Sequence, residues 1–395
     1  MSTHLTTRDT VTENDACLRR RSDAAVAKDP TRLLQDHVSS TNPLQDDKPA
    51  TPSAAATSKS ARTGNAQFTS PPINAAAIHA HVAQYAHAHT PTALAWLLPT
   101  ILAFLLLHTV FANVWSLLPL AALIRVRLFI LAHDLAHGAF LPSPKWNRRL
   151  AAVLMPACAY TPVSFWTRTH GYHHRHVGDL DFPDTAWTTA RYRAAPKVDR
   201  VVYRVLSHPA LILSGVVPAV LFFGVQQVTA LGWEWAIEVV VLGWHWYRGT
   251  VGFEIASATI AATIGVLLFH AQHTFDGVHR ARGKEWDPTA MALRGSSFLQ
   301  VPYGWRWVTA ALEFHHVHHL NAKVPCYRLQ ACHEDAGEWF DEVPKITVWE
   351  VITSVKWCLW DEKRGMVATP DEAMRGGRKG SGDGSEFAQL ALFAE

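Results

Sequence analysis

Twenty-three of the 395 residues are histidine, and most of the chain's capacity for chemistry lies in how they are spaced. Three clusters stand out: His133-Asp-Leu-Ala-His137, His170-Gly-Tyr-His173-His174 and His315-His316-Val-His318-His319. On a helix, positions i, i+3 and i+4 share one face with Cβ atoms about 5–6 Å apart, so each cluster can turn two or three imidazoles toward one point. One such cluster is a weak signal; three make a strong one. The eight framing histidines (133, 137, 170, 173, 174, 315, 318 and 319) are too many for one tetrahedral zinc, and imidazole suits zinc, copper, iron and nickel alike. Two metals sharing the set is the economical reading. The first cluster lacks the general-base Glu of H-E-x-x-H, which argues against a zinc protease. The Glu-x-x-His pattern of soluble di-iron bundles is also missing, so a di-iron site here would have to be dominated by histidine.

The elements that must position these clusters are apolar. Charged residues make up 17% of the chain, against about 25% in ordinary soluble domains. Together with 49% hydrophobic residues and 16 Trp, this points to a membrane. Four stretches are long enough to cross a bilayer core: Thr92–Val110, Trp115–Leu131, Pro209–Leu231 and Gly252–Phe269. Arg125 and Arg127 interrupt the second. Arginine at mid-bilayer is costly, so both are expected near a membrane surface or snorkelling to it. His133 lies six residues beyond Arg127, about 9 Å further along a continuing helix and just outside the bilayer.

Loop charge sets the orientation. Ten Lys/Arg fall between Leu141 and Ser207, whereas the segment Gly232–Gly249, read as a short loop, has only Arg248 beside Glu234 and Glu238. The positive-inside rule then places the long loop, all three clusters and both termini in the cytosol. The expected fold class is an all-α integral membrane protein of about four transmembrane helices. A cytosolic helical cap, rich in Trp after Asn321, would hold the di-metal site.

Residues 1–72 are rich in Ser, Thr, Ala and Pro with no amphipathic period, the composition of a disordered tail. They lack a signal-peptide apolar core, and their acidic residues argue against a transit peptide. Residues 370–395, with Gly376-Gly-Arg-Lys-Gly-Ser-Gly-Asp-Gly, read as a flexible tail. A net charge of +3 gives no footprint for nucleic acid. Five cysteines without C-x-x-C spacing argue against a disulfide framework.

At these residues the chain resembles the membrane fatty acid desaturases of the acyl-lipid, delta-12-like (omega) type, over roughly Ile73 to Glu334. Arg127-Leu-Phe-Ile-Leu-Ala-His-Asp-Leu-Ala-His-Gly-Ala-Phe140 is similar to that family's first histidine box and its preceding helix. Trp166-Thr-Arg-Thr-His-Gly-Tyr-His-His174 with Gly178-Asp-Leu-Asp181 resembles the second. Phe314-His-His-Val-His-His-Leu-Asn-Ala-Lys-Val-Pro325 with Tyr327-Arg-Leu-Gln330 resembles the third. The chain departs from the usual pattern at Leu135-Ala136, where the family often has Cys-Gly, and at Phe182-Pro183-Asp184, where many relatives have Arg-Gly.

The resemblance implies a desaturase domain over 73–369 that binds two Fe ions, activates O2 and removes two hydrogens from an acyl chain. It also implies an acyl-lipid or fatty acyl substrate, with delta-12 (omega-6) desaturation of an oleoyl lipid expected. An external electron donor, cytochrome b5-like or ferredoxin-like, completes that expectation. With no convincing organelle address and both termini read as cytosolic, an endoplasmic reticulum membrane is expected if the source is eukaryotic, with a plastid or a bacterial inner membrane as the alternatives. Within His270-Ala-Gln-His273, the resemblance assigns a ninth metal ligand to His273, with His270 the alternative. It assigns no catalytic residue separate from the ligands.

Other histidines and carboxylates carry lesser expectations. His316 occupies an inner position of its box, His176 is read as surface, and His79, His81, His87 and His89 as compositional bias. Asp134, Asp181, Asp276 and Glu313 could each orient a ligand histidine. A hydroxylase or conjugase on the same scaffold is the nearest rival function. A histidine-rich metal transporter is the rival from another class, but it should hold its ligands at the bilayer midplane, and these clusters lie at or beyond the ends of the apolar stretches.

Overall fold

The computed structural model describes residues 74–182, 186–226 and 232–376. The tail expected over 1–72 and residues 377–395 lie outside them. Among the described residues, three helices are long and apolar enough to cross a membrane: Thr90–Val110, Trp115–His137 and Val251–His273. At 1.5 Å per residue they measure about 32–35 Å, close to a hydrocarbon core of about 30 Å. The first comprises α1 (Thr90–Leu105) and a π turn at Leu106–Val110. The second is mostly α2 (Leu118–His137), which ends at Gly138 with φ +68°, a left-handed cap where an added Cβ would meet Lys323 Nζ at 3.2 Å.

From there the chain doubles back. Ser143 caps α3 (Pro144–Ala159), its hydroxyl accepting from Trp146 N, and α3 returns along α2. At Tyr160, itself at φ +49°, the chain bends by 94° into α4 (Val163–His176). This bent pair together is apolar and long enough to count as a fourth span.

Two expectations need correction. Pro209–Leu231 is not one helix: Pro209–Leu213, Val216–Val220 and a π turn at Leu221–Val225 follow one another, and 227–231 lie outside the described residues. Gly215, at φ +82°, breaks the run where a Cβ would sit 2.6 Å from Thr259 Cγ2. The break therefore serves a close approach to α7 (Val251–His273). Gly232–Gly249 is not a loop either, since it contains the helix α6 (Trp235–Tyr247). The two acids that suggested a loop are buried, Glu234 accepting a hydrogen bond from Ser164 Oγ at 2.8 Å.

The two arginines of the second stretch are buried within the protein. Arg125 and Arg127 are 1% and 2% exposed. Arg127 Nε donates to Thr100 Oγ1 at 3.0 Å, its guanidinium donates to the Trp307 carbonyl, and it lies over the Trp96 and Trp307 rings. Satisfied inside the protein, neither side chain has to snorkel.

The remaining elements form a cap. Its helices include α5 (Lys197–Leu206), α8 (His315–Leu320) and α9 (Cys326–Glu334). One small sheet joins β1 (Trp187–Thr188) in parallel to β4 (Leu359–Asp361), which pairs antiparallel with β5 (Met366–Ala368). The other pairs β2 (Phe298–Gln300) with β3 (Lys345–Thr347). The largest apolar cluster runs from Leu97 on α1 through Leu131 and Cys158 to Val317 and Leu329, so bundle and cap share one core. The four described cysteines, 158, 326, 332 and 358, are free and buried. A last helix, Pro370–Gly376, occupies the start of the stretch read as a flexible tail. Thr369 and Glu372 exchange capping hydrogen bonds that begin it, a local signal that outweighs glycine-rich composition.

Candidate metal centre

Four helices bring the histidine clusters together. His133 and His137 occupy the C-terminal end of α2. His170, His173 and His174 occupy the end of α4, His273 is the final residue of α7, and His315, His318 and His319 lie on α8. Three of these helices thus point their C-terminal ends at the site, where the macrodipole favours positive charge.

The imidazoles form two groups. His133, His137, His170, His174 and His318 converge in one, and His173, His273, His315 and His319 in the other, with ligand atoms within 4.8 Å of one another in each. In the first, the Nε2–Nε2 separations are 2.8 Å for His133–His170, 3.1 Å for His133–His137, and 3.0 Å for both His170–His174 and His174–His318. In the second they are 3.1 Å for His173–His273, 2.9 Å for His273–His315, 3.1 Å for His273–His319 and 3.0 Å for His315–His319.

A neutral imidazole has one donor and one acceptor nitrogen, so nitrogens packed this way cannot all satisfy one another by hydrogen bonding. Two imidazole nitrogens each about 2.1 Å from one ion and at right angles lie about 3 Å apart. The residues therefore fit metal binding, and each group can hold an ion. Burial pushes His315, His318 and His319 well below the ordinary imidazole pKa, as do the neighbouring histidines. The neutral, ligating form is thereby favoured.

The surroundings fix some rings and leave others without a partner. His273 Nδ1 sits 3.1 Å from the Gly295 carbonyl, and Trp166 stacks on His170 at 4.6 Å. Asp134 is buried, with Oδ2 accepting from Cys326 N at 2.5 Å and Oδ1 3.6 Å from His133 Nδ1. Of the four carboxylates considered as orienting groups, only Asp134 lies beside a clustered imidazole. Asp181 bonds Arg282 and Gly283 N, Glu313 bonds Arg306 and Thr309, and Asp276 is exposed.

The other histidines lie elsewhere. His316 Nε2 meets His333 Nδ1 at 2.8 Å, and His270 Nε2 lies 3.0 Å from the Ser354 carbonyl. His176 faces Asp179, while His79 and His81 contact Thr289 and the Cys332 carbonyl.

A cavity of about 760 Å³ ends on the imidazoles. His133, His170, His173, His273 and His315 line it, whereas the half-buried His137, His174 and His319 do not. Its walls are apolar, among them Phe129, Ile130, Leu221, Phe223, Ala261 and Val266. At its other end stand Arg125, Cys158 and Tyr160. There Glu254 accepts from Arg125 Nη2 at 2.6 Å and from Tyr160 OH at 2.7 Å, with His108 Nδ1 at 2.9 Å and His245 Nε2 at 3.3 Å. Sequence reading missed this network. Its signal was present, because Arg125 and Glu254 are opposite charges in two apolar stretches and charges at such depth pair with one another.

Comparison with known proteins completes the picture. Residues 109–349 match the profile of the family described as "Fatty acid desaturase". A Bacillus subtilis protein named "Fatty acid desaturase" is 30% identical over 307 residues, covering 71% of this chain and 86% of that protein. Proteins named "sn-1 oleoyl-lipid 12-desaturase" match at lower identity. The one from Synechocystis is 22% identical, covering 53% of this chain and 64% of its own length, and the one from Anabaena variabilis is 24% identical, covering 58% and 71%. A membrane-type bundle, clustered imidazoles and an apolar cavity leading to them belong together in such an enzyme. The chain is a member of the fatty acid desaturase family, an oxidoreductase of the membrane.

Proposed function

We propose that the nine clustered histidines hold two iron ions and that the chain introduces a double bond into an acyl chain lying in the apolar cavity. The observation carrying this reading is that one cavity, apolar along its length, ends on imidazoles of both groups. Bound iron would supply the O2-dependent redox chemistry that no side chain can bring to an unactivated C–H bond. His133, His137, His170, His174 and His318 are assigned to one ion, and His173, His273, His315 and His319 to the other.

The protein's own contributions are binding, orientation and exclusion of water. The apolar walls accept a hydrocarbon chain and keep water from it, and the cavity-facing imidazoles set which carbons meet the metals. His137, His174 and His319 form the half-buried outer edge of the cluster. An external donor, cytochrome b5-like or ferredoxin-like, delivers electrons from that side. The substrate is an acyl lipid. Delta-12 desaturation of an oleoyl chain is the regiochemistry we assign, supported by the names of the two cyanobacterial relatives. The cap and both termini are assigned to the cytosolic face of the membrane, which is the endoplasmic reticulum if the source is eukaryotic.

The test is a fatty-acid methyl ester profile of a host that has its own electron-transfer chain but makes only saturated and monounsaturated chains. Expression of the protein should yield a new diene that His173→Ala does not. The position of the new double bond reads out the regiochemistry. A hydroxylated chain instead would make the enzyme a hydroxylase on this scaffold, and loss of both product and bound iron from the unmodified protein would overturn the di-iron assignment.

A further inference from the structure

Helix α5 (Lys197–Leu206) is amphipathic, yet its apolar stripe faces away from the protein. Val198, Val201, Val202, Val205 and Leu206 follow the i, i+3, i+4, i+7, i+8 pattern of a single helical face. They are 71%, 54%, 49%, 48% and 42% exposed. The opposite stripe is the one that attaches the helix. Arg200 Nη1 donates to the Arg193 and Ala195 carbonyls at 3.0 and 3.1 Å. Tyr203 OH donates to the Cys358 carbonyl at 2.5 Å, and the ring stacks on Trp187 at 4.5 Å. Arg204 pairs with Asp371 on the last helix. A helix packed against a soluble core turns these two stripes the other way round.

We propose that α5 is an in-plane membrane anchor whose aliphatic face lies in the interfacial layer of the bilayer. Ten residues span about 15 Å, half of a hydrocarbon core, so the helix cannot cross and must lie along the surface. Beyond Leu206 only Ser207 and His208 separate α5 from the apolar stretch after Pro209, where Leu213, Val216 and Val220 are likewise 44%, 51% and 50% exposed. The aliphatic stripe is thus followed in the chain by a second exposed apolar segment suited to lipid. Lys197, exposed at the start of the helix, suits phosphate headgroups, as in interfacial helices. Because Tyr203 and Arg204 tie α5 to Cys358, just before β4, and to the last helix, the anchor fixes that side of the cap to the membrane.

The full chain in phosphatidylcholine–phosphatidylglycerol vesicles tests this, with an environment-sensitive fluorophore on Val201→Cys or, on the polar side, on Asp199→Cys. Val201 should give blue-shifted emission that is lost when nitroxide-bearing lipids are added, and Asp199 should give neither. Water-like emission at Val201 overturns the anchor. So does blue-shifted emission that resists nitroxide lipid but disappears on dilution of the protein, which would mark a contact between two copies. A second variant, Val201→Asp with Val202→Asp, should speed trypsin cleavage at Lys197 and Arg204 several-fold in vesicles. An unchanged rate in a monodisperse protein likewise counts against the proposal.

Discussion

The two ends of the cavity are both buried and both polar, but they are built on opposite principles. At one end nine imidazoles converge in groups of five and four, with no carboxylate inserted among their ligand atoms and with the Nδ1 atoms of His315, His318 and His319 lacking a hydrogen-bond partner among the described residues. At the other, Arg125, Tyr160, His108 and His245 surround Glu254, and charge meets counter-charge within hydrogen-bond distance. A cluster of one chemical kind, all lone pairs aimed inward, is completed only by a cation. A cluster of mixed kind completes itself. The first therefore reads as a place for chemistry. The second ties the π turn after α1 to α2, α3, α6 and α7.

That contrast can be broken most decisively at the imidazole end. His318→Ala should abolish turnover and lower bound iron while the protein still elutes as a folded monodisperse species. His81→Ala, outside both groups, should change neither product nor iron content. Metal analysis beside the ester profile checks this, and full activity in His318→Ala would sink the ligand assignment.

At the other end the expected loss is of stability. Glu254→Ala leaves Arg125 buried without its partner, a change that costs about 3–5 kcal/mol. Melting in detergent should fall steeply, with iron per folded molecule unchanged. Replacing both partners, Arg125→Met with Glu254→Leu, removes the need for a counter-charge and should recover most of the loss, because an apolar pair of similar volume is often neutral. If the double variant melts as low as the single one, the network is more than a self-contained ion pair.

The same contrast explains what could be read from the sequence. The three clusters were legible because metal-binding spacing is local: H-x-x-x-H and H-x-x-H-H place imidazoles on one helix face without reference to the rest of the chain. His273 stands apart from any such cluster, and only the family resemblance pointed to it. The two charges were visible in their apolar stretches, but their pairing was not, because Arg125 and Glu254 are 129 residues apart and the cost of an isolated arginine argued for a surface. Helix α6 was hidden by its acids, which count as loop charge until Ser164 supplies a partner for Glu234. Gly215 reads as one more glycine in an apolar run until Thr259 lies against it. Local periodicity thus marked the chemistry, whereas long-range pairing decided how the spans are broken and closed.

Tyr160 allows the finest division, because it belongs to both the polar network and the cavity. Its hydroxyl donates to Glu254, its ring lies 5.0 Å from that of Phe223, and its backbone holds φ +49°. Tyr160→Phe deletes only the hydroxyl. A hydrogen bond to a charged group contributes about 1.5–3 kcal/mol, and the lower end applies here because Arg125 and His108 still bond the carboxylate. The variant should melt slightly lower and give the same products in the same proportions. Tyr160→Ala removes the ring as well, and since alanine is no easier to hold at positive φ, backbone strain is the same in both variants. Any change in the acyl chains accepted should then come from a deeper cavity. A product profile altered as strongly by Tyr160→Phe as by Tyr160→Ala would mean that the hydroxyl itself meets the substrate, and the division between a chemical end and a structural end would fail.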